Sequence, residues 1–130
     1  MAELAREHDV DFECTIEGDV DALPDDVANN IYRICQEVTT NAVRHGCGGR
    51  LHVQLYVHHH FTASDVTLRI DDEAGPFDIP GDHAGMGLQS ISDRADAIGG
   101  EYWFDAENGH PRHLLEVRVK REDAPPAVSD

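Results

Sequence analysis

Between Asp26 and His45 the apolar residues Val27, Ile31, Ile34, Cys35, Val38 and Ala42 recur at the helical period and mark one face of an amphipathic helix. Leu23-Pro24-Asp25 resembles a helix start, with proline early and acids in the first turn. Gly46, Gly48 and Gly49 cannot sustain the helix, so it ends before them. Such a stripe must be buried against another layer, and the neighbouring segments read as sheet. Val10, Phe12, Cys14 and Ile16 alternate with Asp11, Glu13 and Thr15, the pattern of a half-buried strand. Leu51, Val53, Leu55 and Val57 alternate again, as do Val66, Leu68 and Ile70.

The stretch from His58 to Ser64 between these two strands is expected to be a hairpin loop of moderate length. Its three adjacent histidines are of a metal-ligating type. Neighbours on an extended chain point in opposite directions, however, and rarely share one ion. From Asp71 to Met86 periodicity gives way to Gly, Pro and acids, a long loop of the kind that usually carries function. A second helix is expected from Gly87 to Ile98, with Leu88, Ile91, Ala95 and Ile98 buried and Gly99-Gly100 ending it. Strands around Tyr102 to Phe104 and Leu114 to Val119 follow. The order strand, helix, two strands, loop, helix, two strands predicts an α/β fold, a two-layer sandwich with helices packed on one face of a mixed sheet. One domain is expected over residues 1–122, with 123–130 a disordered tail or linker stub.

Charge excludes several functions. The 130 residues carry 26 acids against 10 Lys and Arg, a net −16 at pH 7. Such a surface repels phosphate backbones and anionic lipid, which argues against nucleic acid and direct membrane contact. No apolar run reaches the ~18 residues of a membrane helix, and the N-terminus lacks the apolar core of a signal peptide. Cys14, Cys35 and Cys47 form no CxxC pair and read as small core residues in a reducing, cytoplasmic setting.

Two constellations carry chemistry. On the long helix Asn30, Glu37, Asn41 and Arg44 lie 7, 4 and 3 residues apart, one stripe beside the apolar face. A carboxylate, a carboxamide and a guanidinium in line suit a metal-bound phosphate, since Mg²⁺ accepts a neutral oxygen ligand and keeps several waters. The plainer alternative is a solvated face on which Glu37 pairs with Arg33. The second constellation is the loop. Asp71 ends a strand, where a carboxylate can accept a hydrogen bond from the exocyclic amine of a base. Gly75, Gly85 and Gly87 let backbone approach a ligand, and Gly87 opens a helix whose first amides favour an anion.

Together these stretches resemble the ATP-binding catalytic domain of two-component sensor histidine kinases, within the superfamily shared with gyrase, Hsp90 and MutL. The run Ile31 to His45 is similar to the family's N box, and Tyr32-Arg33, Gln36-Glu37 and Asn41 match the nitrate-sensor and DesK-like subfamily. Gly85-Met86-Gly87-Leu88, with Arg94 and Gly99-Gly100, is similar to its G2 region. The resemblance implies a Bergerat-type fold, ATP and Mg²⁺ as ligands, and phosphoryl transfer to a histidine on a dimerisation domain, then to a response regulator receiver domain. It implies Asn41 as the Mg²⁺ ligand, Glu37 as the acid that organises the metal and its waters, and Arg44 and His45 as phosphate contacts. It further implies Asp71 as the adenine-reading aspartate, Gly85, Gly87 and Leu88 beside the phosphates, and Gly75 as a retained G1 glycine.

The sequence also departs from that pattern. Glu73 stands where the first G1 glycine is expected, and Asn108-Gly109-His110-Pro111 replaces a Gly-Thr. His8 has only seven residues before it, too few for the helical hairpin that presents a phospho-acceptor, so the acceptor is expected on a separate domain. The alternatives are a degenerate docking module of the same fold and an anti-sigma-factor serine kinase.

Overall fold

The structure, a computed structural model, describes residues 11–45, 50–72, 87–106 and 110–120, without the side chains of residues 43–45. Val10, Gly46, Cys47, Gly48, Gly49, Glu73, Gly75, Gly85 and the 123–130 tail lie outside the described residues. Five strands, β1 (Asp11–Glu17), β2 (Arg50–His59), β3 (Ala63–Asp72), β4 (Glu101–Asp105) and β5 (Arg112–Lys120), form one sheet in the order β1-β2-β3-β5-β4. Helix α1 (Asp25–His45) crosses from β1 to its parallel neighbour β2, and helix α2 (Leu88–Ala97) leads into β4. All other pairings are antiparallel, so the sheet is mixed as expected.

The expected stripe of α1 is the stripe it buries. Val27, Ile31, Ile34, Cys35, Val38 and Ala42 join Ile91 and Ala95 of α2 over Leu51, Val53, Val57, Val66, Leu68, Ile70, Leu115 and Val117. Every strand residue in that core shares one parity with its cross-strand partner, so both helices cover the same face. Each fully buried Leu or Ile contributes roughly 1.5–3 kcal/mol relative to exposure. The opposite face carries Thr67, Arg69, Trp103 and Glu116 and faces solvent. The two-layer α/β sandwich is the observed architecture.

Two local expectations are corrected. The strands around the hairpin run further than their apolar alternation, with His58 opposite Asp65 and His59 opposite Ser64, leaving only His60, Phe61 and Thr62 in the turn. Two of those histidines are individually occupied: His59 bonds Ser64 Oγ (2.6 Å) and the Asp19 carbonyl (2.9 Å), while His60 bonds Asp65 (2.6 Å). Among the described residues no cluster of three metal-ligating side chains exists. Cys35 is buried as expected, and burial pushes its thiol up to about 12. Cys14 is instead exposed, and Ile16 is 54% exposed. Two helices do not span five strands, so the core-side residues of edge strand β1 are only partly covered.

Helix α2 begins and ends on glycines held at positive φ. Gly87 caps its start in the left-handed region (φ 65°, ψ 21°) with no side-chain cap, and an added Cβ there would touch nothing within 4 Å. Conformation rather than space requires glycine at this position. At the other end Gly99 (φ 71°) lets its own amide reach the Asp96 carbonyl and that of Gly100 the Ala95 carbonyl. No helix among the described residues is long and apolar enough to cross a membrane.

Candidate functional site

The second half of α1 runs beside α2, and Glu37 joins them. Its Oε1 accepts hydrogen bonds from Ser90 Oγ (2.7 Å) and from Arg94 Nε (3.3 Å) of α2. Its Oε2 is buried without a hydrogen-bond partner among the described residues. A carboxylate oxygen buried in this state costs energy unless a cation, a water or a ligand completes it. The expected alternative, Glu37 paired with Arg33, is replaced by this helix-to-helix bridge. Arg33 donates to Gln36 Oε1 (3.0 Å) and Gln36 donates to Tyr32 Oη (3.1 Å), a relay along the outer face of α1. Sequence spacing within one helix could not reveal Ser90 or Arg94 as partners, because the contact spans 53 and 57 positions.

Asn41 stands one turn beyond Glu37 and is buried at 8% exposure, a carboxamide kept in the interior beside the acid. Asn30 does not join them, since its amide donates to the Asp26 carbonyl of its own helix (2.9 Å). Arg44 and His45 occupy the last turn of α1, and their side chains lie outside the description. Gly87 and Leu88 sit at the start of α2, where the first amides of a helix lack internal acceptors. Behind Glu37, the Tyr102 hydroxyl and His113 Nδ1 share a 2.6 Å hydrogen bond. Burial raises the Tyr102 pKa and the Glu37 charge adds to it, while burial pushes His113 down to about 3. Both are therefore neutral neighbours at ordinary pH.

Asp71 lies on the face of the sheet opposite the helices. It is the partner of His52 and Arg112 on the open face of the sheet, with Arg112 Nε 3.7 Å from its carboxylate. The next residue, Asp72, pairs with Leu51 in the ladder and is only 4% exposed on the helix-covered face of the sheet. Its amide donates to the Pro111 carbonyl (2.9 Å), tying the end of β3 to the approach of β5. A cavity of about 350 Å³ lined by Asp71, Asp72, His110 and Arg112 opens at this strand end. The parity of Val66, Leu68 and Ile70 was the available signal for Asp72, since side chains on one strand repeat every two residues.

The Glu37–Arg94 bridge yields a measurable expectation. Both side chains are partly exposed (28% and 38%), so solvent screening holds their coupling to about 1 kcal/mol. A double-mutant cycle with Glu37→Ala and Arg94→Ala, read by urea unfolding, should return that coupling; additivity would show that the two helices do not communicate through this pair.

No family model matches the chain, and no curated protein matches it. Solved structures do. The catalytic domain of the histidine kinase ThkA, in a nucleotide-free form, superposes with a TM-score of 0.62 at 19% identity over 92% of this chain and 84% of that one. The Erythrobacter litoralis blue-light activated histidine kinase EL346 gives 0.69 at 16% identity, covering 95% of this chain and 41% of that one. The Acinetobacter baumannii histidine kinase AdeS gives 0.60 at 14% identity, covering 94% and 59%. The chain thus has the fold of histidine kinase catalytic domains, and it spans less than two thirds of the last two proteins.

Proposed function

We propose that this chain is the ATP-binding catalytic domain of a sensor histidine kinase. In this reading it binds Mg-ATP in the cytoplasm and donates the γ-phosphoryl to a histidine on a separate dimerisation domain, from which a response regulator receives it. The observation that supports it most is the orphaned Glu37 Oε2, buried one turn from a buried carboxamide and bridged to the helix that opens on Gly87. These donors fit Mg²⁺: Asn41 would supply a neutral oxygen and Glu37 an anionic one that also holds waters. When bound, the ion supplies positive charge that offsets the phosphates on a chain of net charge −16.

The chain's own residues do the rest. Ser90 and Arg94 orient Glu37, so its free oxygen keeps one direction. The first amides of α2 face a phosphate with the positive end of the helix, and Arg44 and His45 are the basic phosphate contacts that the family resemblance assigns. Gly75 and Gly85 keep the ligand-binding assignment that the sequence motif gives them, and Asp72 takes the base-reading role that the motif alone assigns to Asp71.

Calorimetric titration of Mg-ADP into the domain tests the reading. Saturable binding is expected, with Asn41→Ala losing at least tenfold in affinity with Mg²⁺ and less than threefold in EDTA, because its role is to hold the metal. Absence of heat at millimolar nucleotide, with the fold intact, would leave the degenerate docking module instead.

A further inference from the structure

We propose that the outer edge of β1 is a docking site for an extended segment of a partner protein in which apolar and basic residues alternate. This goes beyond the nucleotide reading and uses none of its residues. β1 is a seven-residue edge strand paired only with β2, so among the described residues its other side carries unpaired backbone groups. On the helix side of that edge lies an open apolar groove of about 300 Å³, walled by Phe12 and Ile16 from β1 and Ile31 and Tyr32 from α1. Ile16 and Tyr32 remain 54% and 48% exposed, unusual for large apolar residues set side by side. On the other side the same strand presents Asp11, Glu13 and Glu17 at alternate positions, and among the described residues only Glu13 is engaged, by Arg50 across 3.5 Å between two largely exposed side chains.

A strand added beside β1 projects its side chains alternately to the two faces. Apolar residues of that strand would enter the groove, and the residues between them would meet three carboxylates. Charge therefore selects the occupant: basic residues are complementary there. A second copy is not. Two β1 strands paired antiparallel about Cys14 would set Asp11 of each copy against Glu17 of the other, a like-charge contact that opposes pairing.

The probe is a seven-residue alternating Lys/Val peptide with blocked ends, titrated into the ¹⁵N-labelled full chain at 0.15 M salt beside an isomer with the four lysines in one block. Amide shifts are expected at residues 11–17 and at Tyr32, with at least tenfold tighter binding of the alternating peptide. Ile16→Asp and the double variant Glu13→Lys/Glu17→Lys should each weaken it at least tenfold while amides elsewhere keep their positions. Equal affinity for the two isomers, or shifts spread over the whole acidic surface, would reduce the effect to polycation binding and overturn the proposal. No shift on β1 at millimolar peptide, or a dimer of the free chain that buries β1, would overturn it as well. None of these readouts depends on nucleotide.

Discussion

Lowering the pH from 6.5 to 4.5 is expected to remove roughly 2 kcal/mol of folding stability, and His113 is the group that removes it. Burial at 6% exposure holds its pKa near 3 in the folded chain, against 6.5 for the ordinary side chain. Below pH 6.5 the unfolded chain therefore takes up a proton that the folded chain refuses. Stability then falls with pH at about 1.4 kcal/mol per unit once well below 6.5, until the folded pKa is reached. The contribution is complete above the unfolded value and is lost as the pH drops toward about 3. Asp65 acts in the same direction but lower down. Hydrogen bonds from Arg118 and His60 hold its carboxyl below its usual 3.8, so its effect begins beneath the window chosen here. Urea unfolding at the two pH values checks the expectation. His113→Gln keeps an acceptor for the Tyr102 hydroxyl and removes the titration, so it should flatten the difference whatever its own stability. An unchanged slope in that variant would assign the loss to other histidines among the nine.

What was legible in the sequence was whatever repeats along one element. The α1 stripe declared its buried face because six apolar residues recur within one segment, and all six are in the core. The order of strands and helices was legible for the same reason, since the sheet needs only alternation and turn residues to be recognised. What depended on neighbours from other elements was hidden. Glu37 has an intrahelical candidate in Arg33, and nothing in the helix reveals that Arg94 takes the bond instead. Cys14 alternates like a core residue, yet its exposure is decided by how far the helices reach across the sheet. His58 and His59 look like turn residues, but cross-strand partners draw them into the ladder. The acid at the end of β3 is a mixed case. A short motif favoured Asp71, the strand parity favoured Asp72, and the three-dimensional register follows the parity.

That last distinction sets the second large effect, because it separates two adjacent residues with the same charge. In the proposed site Asp72 is the acceptor for the exocyclic amine of adenine, being buried on the helix-covered face of the sheet, where little water can replace a lost hydrogen bond. A hydrogen bond to a charged group is worth roughly 1.5–3 kcal/mol, and a buried donor left without its partner costs a comparable amount. Asp72→Ala should therefore weaken Mg-ADP binding by about thirty- to a hundredfold, while Mg-GDP, which offers a carbonyl where adenine offers an amine, binds poorly from the outset. Asp71→Asn should change the affinity less than threefold. Its carboxylate lies on the opposite face beside an Arg112 side chain that is 59% exposed, a pair worth little in water. Calorimetry on both variants, with amide dispersion to confirm folding, decides between them. A loss confined to Asp71→Asn would return the base-reading role to the motif residue and require the end of β3 to turn over when nucleotide binds. Equal indifference to both substitutions would remove adenine from this strand end altogether, leaving only the phosphate side of the site at Glu37, Asn41 and the start of α2.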